Sequence, residues 1–574
     1  MKAETGAMHV AKIDRRHGDR VYTSHLVRRS IRDGKRVRHE TVANVSKLPP
    51  EAIEALRRAL RGEAVLSPGE RPSIENPLPA GHVEAALAMA RRLELARLIE
   101  RRPSKQRELV LAMVVQRVLC PGSKLSMARA LGRSTLAAEL GLEGADQDDL
   151  YGAMDWLVER QERIEDRLAR RHLRDGELVL YDVSSTYFEG RTCPLAGLGY
   201  SRDGKRGTPQ IVFGLLCDRS GRPVAVEVFE GSLHDDKTLT AQLDKLRRRF
   251  GLKRIVVVSD RGMVTKANLE AMRDTEGVSW ITALKAPQVK KLVKNGQLQL
   301  SLFDQQNLVE IEDEEHYPGE RLVVCRNPLV AEERRRKREA LLAATERELA
   351  DIERRVGQGT LSGEAEIGLA AGAVWNRWRV KKHFELEITD TSFAFRRKQE
   401  QIEQEAALDG IYVLRTSVSA ETLATPEVVR SYKQLKEVER AFRSFKGPLE
   451  LRPIHHRLED RVRAHVLLCM LAYYLEWHLR QAWAELTFTD ESPTPSPDPV
   501  AKASRSPQAE RKARTKRATD GAPCNSFRDV IAELARRTQN TVRIPGSEAA
   551  FTQLTEPTPL QAHALELVRA AEIA

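Results

Sequence analysis

The sequence predicts a multidomain α/β protein, and three observations carry that expectation. At about 100 to 200 residues per domain, 574 residues call for three or four domains. From His82 to about Arg174 apolar residues recur every three or four positions, as in VEAALAMARRLELARLIE, which is the period of helices packed on one face. At Glu177 the period changes, and the pattern becomes β-β-β-α-β-α-β.

Residues 8 to 45 alternate apolar and basic side chains around two turn signals, Gly18-Asp19 and Asp33-Gly34, and read as a small basic β-meander. A short helix from Pro50 to Arg61 completes a module over 1–66, and the Pro/Gly-rich stretch 67–81 reads as a linker. Residues 82–175 read as a helical domain broken at Pro121-Gly122 and Gly141. It could carry a helix-turn-helix around SKLSMARALGRSTL or be an ordinary packed bundle.

In the β-rich part, ELVLYDVSSTYFEG, QIVFGLLCD and RPVAVEVFEG are three hairpin-linked strands. A helix (Asp235 to Phe250), the strand RIVVVSD, a helix (Thr265 to Asp274) and the strand VSWITALK follow. Regularity is then lost over 286–409, an expected insertion whose helix from Ala331 to Val356 carries eight basic and seven acidic residues and reads as a solvated hairpin helix. Residues 410–486 resume with the strand GIYVLRTSV, a helix from Pro426 into Phe445 and an apolar helix from Arg461 to Arg480. Pro/Ser-rich and then basic, 487–523 reads as a disordered linker, and 524–574 as one or two helices with an Ile-Pro-Gly turn.

Charge and motif content narrow the function. There are 94 Lys+Arg against 82 Asp+Glu, a net +12. The stretches Met8–Val45 (ten basic, four acidic) and Ala501–Asp520 (seven basic, two acidic) contribute +6 and +5 of it. Such basicity points to a polyanionic partner. The longest apolar run, Val466 to Leu475, stops well short of the roughly 20 residues a bilayer requires, so no membrane partner is expected. The N-terminus has no apolar signal region, which points to an intracellular protein. Six scattered cysteines form no C-x2-C pair, and neither a P-loop nor a G-x-G-x-x-G fingerprint occurs, so neither structural zinc nor a nucleotide cofactor is expected.

Two carboxylates interrupt apolar strands. Asp182 lies within LVLYDVSS and Asp260 ends IVVVSD. A buried carboxylate is costly unless a cation or strong donors compensate it. In a β-β-β-α-β-α core of the RNase H-like kind the first strand lies beside the fourth, which brings Asp182 near Asp260. A third carboxylate from a later helix would complete an oxygen cage for Mg2+. The helix SYKQLKEVERAFRSFKG offers it, because Tyr432, Leu435, Glu439, Phe442 and Lys446 share one face.

YDVSSTYFEG, VSDRGMV and YKQLKEVERAFRSFKGPLELRPIHHRLEDRVRAH together resemble the DDE transposases of bacterial insertion sequences. More narrowly they resemble the subgroup with a Y-x2-R-x3-E-x6-K helix and a large insertion before the glutamate. The resemblance implies an RNase H-like core of the retroviral-integrase superfamily, with Asp182, Asp260 and Glu439 as catalytic and metal-binding residues. It implies Tyr432 and Lys446 as phosphate contacts, and two Mg2+ ions per active site, replaceable by Mn2+. Leu435 stands where the motif has arginine, and Arg440 or Arg443 could supply that contact.

The implied partner is double-stranded DNA, as the element's terminal inverted repeats and as target, bound by the N-terminal β-rich and helical modules. The implied assembly is a homodimer or larger, and the implied location is the bacterial cytoplasm at the nucleoid. The activity would be DNA cleavage and strand transfer. A silent DNA-binding repressor descended from such an enzyme is the alternative.

Overall fold

The computed structural model describes residues 4–33, 36–62, 71–263, 265–303, 306–490, 493–518, 521–544 and 550–572. The chain divides into two compact units, Met1–Gly81 with Leu534–Thr558, and His82–Glu533 with Pro559–Ala574.

In the first unit Glu4–His17, Arg20–Asp33 and Arg36–Asn44 form an antiparallel meander. Gly18 takes the left-handed conformation (φ 60°) that its tight turn requires, while Gly34 of the second turn lies outside the described residues. The helix Pro50–Leu60 follows and buries Ile53.

The expected linker 67–81 is not one throughout. Ser73–Pro79 is a strand paired with Thr538–Arg543, which in turn pairs with Ala550–Leu554. Its prolines disguised it. Pro77 and Pro79 are tolerated because the strand is at the sheet's edge, and the register slips where Asn76 adopts a positive φ of 49°. The C-terminal region is correspondingly not purely helical. This hairpin stands between the helices Phe527–Ala535 and Pro559–Ala570, and Pro545 and Gly546 of the expected turn lie outside the described residues.

The second unit is built on a mixed sheet of eight strands: β1 Leu178–Tyr187, β2 Gln210–Asp218, β3 Pro223–Glu230, β4 Ile255–Val258, β5 Val278–Ala283, β6 Leu308–Ile311, β7 Arg321–Arg326 and β8 Ile411–Thr416. Their order is β6-β7-β8-β5-β4-β1-β2-β3. The first and fourth strands are neighbours and parallel, as are the fourth and fifth; the other pairs are antiparallel. Every residue of β2 is buried, which explains its unbroken apolar run.

Strands β6 and β7 fall inside the expected insertion 286–409, on the strand-like stretches LVEIED and ERLVVCRN, and extend the sheet. Beyond it, the helices Pro328–Gly357, Glu364–Trp378 and Gln399–Ala406 and the hairpin Phe384–Ile388 with Phe393–Arg397 have their own core. Leu342, Leu349, Ile352 and Val356 form the buried stripe of the long charged helix.

After β8 the expected single helix from Pro426 to Phe445 is two, α1 Thr425–Lys433 and α2 Leu435–Lys446, interrupted at Gln434. The apolar helix α3, Glu459–Ala482, is buried almost all round. It packs on the helices Lys105–Leu119 and Gln147–Val158 on one side and on β3 on another. Residues 82–175 are therefore part of the unit that holds the sheet, and not a separable domain. An all-apolar helix needs cover on every face, and this stretch supplies it. Of the two helices in the suggested helix-turn-helix, Leu136–Leu140 has only five residues, with Leu136 and Ala137 buried. Among the described residues no single helix is long and apolar enough to cross a membrane; one bent pair, Lys105–Leu119 with Lys124–Leu131, meets the criterion only jointly.

Residues 487–523, expected to be disordered, are fastened to the second unit. They contain the helix Pro507–Thr515, whose buried Lys512 ammonium donates to the carbonyls of Ala484, Thr487 and Thr489 at 2.9, 3.3 and 3.1 Å. Lys433 likewise donates to the carbonyls of Pro499, Val500 and Ala501 at 2.6 to 2.7 Å. Composition counts these lysines as solvated charge, but carbonyl oxygens take the place of water. Lys512→Ala removes this donor from the three carbonyls; that of Ala484 still accepts from Thr487, and any acceptor left buried and unmatched costs about 1–3 kcal/mol. Limited proteolysis of that variant is expected to cut within 487–518, where the parent chain resists, and equal resistance of the two would refute the fastening.

Candidate active site

The pairing register sets the site. In the parallel pair of β1 and β4, Leu180 is level with Val258, so Asp182 and Asp260 each lie two residues further on at the same end of the pair, and both line one cavity. Asp182 remains within β1 and is partly buried, whereas Asp260 lies just beyond the end of β4 and is exposed.

Helix α2 is held over β1 by aromatic packing. Phe442 meets Phe213 of β2 edge-on at 5.4 Å and Phe445 stacks on it at 6.2 Å, with Tyr473 of α3 behind Phe445 at 5.8 Å. Glu439, one turn before Phe442, thereby reaches the rim of an open cavity of about 440 Å3. Asp182, Asp260, Glu439, Arg443 and Lys446 all line it, together with Arg202, Asp235 and Arg452. Five of the seven residues singled out in the sequence thus meet in one place.

Electrostatics mark Asp182. Burial pushes its carboxyl up to about 7, and the neighbouring negative charges of Asp260 and Glu439 act in the same direction. The Val183 amide, which donates to Asp182 Oδ1 at 2.8 Å, and the Arg202 guanidinium offset part of this. Glu439 is largely exposed and lies 3.7 Å from Arg443.

The expected phosphate contacts divide. Tyr432 is half-buried beside Asp260, and burial, with the negative charge of Asp260 next, raises the pKa of its hydroxyl. The Lys446 ammonium lies 3.0 Å from Asp203 Oδ1, which Arg452 also reaches at 2.8 Å. Arg440 pairs with Glu437 at 2.9 Å and is not among the residues lining the cavity, so of the two candidates to replace the motif arginine only Arg443 is placed there. Leu435 is buried and cannot take that part.

Sequence reasoning missed Asp203, Arg202 and Arg452. Asp203 is nearly inaccessible, its Oδ2 is buried without a hydrogen-bond partner, and Arg202 pairs with Asp235. The only trace of this cluster in the sequence is the charged Gly-rich loop GYSRDGKRG. Asp235, the first residue of the helix expected from Asp235 to Phe250, also lines the cavity.

The donors suit a hard divalent cation, since the cavity lining offers carboxylates and no His or Cys. The raised pKa of Asp182 means that its surroundings favour the protonated carboxyl over the anion, a balance a bound cation would reverse. Among the described residues no three such side chains already converge at coordinating distance, so Glu439 would have to turn from Arg443 to join the aspartates.

The transposase DDE domain family matches residues 177–475, just over half of the chain, and the family of N-terminal domains of IS1634 family transposases matches residues 10–70. The chain is a DDE transposase of the insertion-sequence type. No curated protein matches it. Among solved structures, a cryo-EM piggyBac transposase synaptic complex with hairpin DNA is similar at 10% identity and a TM-score of 0.35, over 79% of this transposase and 76% of that chain.

Proposed function

We propose that this transposase cleaves DNA at the ends of its element and joins them to target DNA at the cavity over β1 and β4. The supporting observation is that Asp182 of β1, Asp260 just beyond the end of the neighbouring parallel strand β4, and Glu439 of α2 line the same cavity. The order β3-β2-β1-β4-β5 within the sheet supports an RNase H-like core of the retroviral-integrase superfamily, extended at one edge by β8, β7 and β6. In this reading 176–327 and 410–486 form the catalytic domain, 328–409 is the insertion, and 82–175 belongs structurally to the core.

Asp182, Asp260 and Glu439 would hold two Mg2+ ions, with Mn2+ able to substitute. Bound there, such ions lower the pKa of an attacking water or 3′-hydroxyl and stabilise the leaving 3′-oxygen. The chain's own groups do the rest. Tyr432 offers its hydroxyl to the Asp260 carboxylate. Arg443, Arg452 and Lys446 supply positive charge to the scissile phosphate, Lys446 after exchanging Asp203 for a phosphate oxygen. The exchange of one phosphodiester for another requires no nucleotide cofactor.

End recognition belongs in this reading to the basic meander of the first unit, whose Lys and Arg would confer salt-sensitive affinity for double-stranded DNA. Synapsis of two ends would require a homodimer or a larger assembly, in the bacterial cytoplasm at the nucleoid. Purified chain with Mg2+ and a duplex carrying the inverted repeats should produce 3′-hydroxyl ends at the repeat boundaries. Specific binding without any cleavage, in Mg2+ and in Mn2+, would instead identify a repressor descended from the enzyme.

A further inference from the structure

A second cavity lies in the same unit. It has a volume of about 590 Å3 and lies between the insertion and the sheet, with Arg261, the residue after Asp260, in its lining. One wall is a face of the long helix Pro328–Gly357, on which Arg334, Lys337, Arg338 and Leu341 recur at helical spacing. The other wall includes Leu284 and Ile411 at the ends of β5 and β8, with Lys290 beside them.

Charge in this groove is strongly unbalanced. Seven Lys and Arg line it against two carboxylates, and both carboxylates are already taken, Asp409 by Arg338 and Glu405 by Lys382 and His383. The five other cations, Arg261, Lys290, Arg334, Lys337 and Arg379, are exposed and have no ion-pair partner among the described residues. Clustered like charges repel one another, and although Leu341 on the same face of the helix packs against the insertion's own core, these five cations pair with none of the described carboxylates.

We propose that this groove binds the phosphodiester backbone of a single DNA strand, leading it away from the bond held at Asp260. The inference rests on the active-site reading above and adds a path for the strand. A groove walled on two sides, with cations along its rims and an apolar floor, matches an unpaired strand; a double helix would meet only its edge. This also gives a role to the long charged helix, whose sequence suggested only a solvated surface.

The test measures binding without catalysis, using the full chain in the absence of divalent ions. Two probes are compared by fluorescence anisotropy: a blunt duplex, and the same duplex with an unpaired extension of about ten nucleotides. The extension is expected to tighten binding at least tenfold and to steepen the salt dependence by about 0.7 for each phosphate contacted. The double variant Arg334→Glu with Lys337→Glu should lose that gain while binding blunt duplex within twofold of the parent and melting at the same temperature. No gain with the parent chain, or an undiminished gain with the variant, would overturn the proposal. So would an equal gain from a fully paired extension. Because no cleavage is read, these outcomes are independent of whether Asp182, Asp260 and Glu439 are the catalytic carboxylates.

Discussion

Asp260→Asn is expected to reduce DNA cleavage by about a thousandfold or more while end binding stays within a few-fold of the parent. The substitution keeps the shape of the side chain and its place beyond β4, so the fold has no reason to change. It removes one of the two negative charges that lie at the same end of the β1–β4 pair. If that charge contributes about 4 kcal/mol to the transition state through a bound cation, the loss is about three powers of ten. The measurement is single-turnover cleavage of a labelled duplex carrying the ends, beside a binding isotherm. Wild-type cleavage by the variant would remove Asp260 from the active site.

Metal-free stability should fall as pH rises from about 4 to about 7, and Asp182→Asn should abolish that part of the dependence. The carboxyl of Asp182 is pushed up to about 7 by burial and by its acidic neighbours, against 3.8 in the unfolded chain. Between those values the native state binds the extra proton, so it is the favoured proton holder, and the advantage disappears as pH passes through the folded-state pKa. A difference of that size corresponds to a cost on the order of 4 kcal/mol. Melting in a chelator between pH 5 and pH 8 tests this, the asparagine variant being the more stable form at the alkaline end. Added Mg2+ should then stabilise the parent at pH 8 more than at pH 6, where it competes with the proton, and should stabilise the variant little. Parallel melting profiles for parent and variant would show that Asp182 is not the strained group.

What could be read beforehand was whatever leaves a local trace. Asp182 and Asp260 were conspicuous because one interrupts an apolar run and the other ends one, and the neighbouring of the first and fourth strands followed from which strands are joined by hairpins and which by helices. Glu439 was found by its place on an amphipathic face. Long-range pairings leave no such trace. Lys446 is held by a carboxylate 243 positions away, and a motif lysine gives no sign of a partner in a Gly-rich loop. Gln434 ends α1 without proline or glycine, so the break between Tyr432 and Glu439 could not be seen. Disorder in 487–523 was inferred from composition, and composition does not register that a lysine can be solvated by three carbonyl oxygens.

The pairing of Ser73–Pro79 with Thr538–Arg543 has a temporal meaning. Some 460 residues separate the two strands, and at about 5 to 20 residues per second a ribosome needs roughly 25 to 90 s to cover that distance. Throughout that time the early strand has no partner within its own chain, and the first unit cannot close. A transposase molecule therefore completes this sheet only once Thr538–Arg543 has been made, and a product truncated before residue 538 never completes it. If the first unit is the reader of DNA ends, such truncated products compete for them without this sheet.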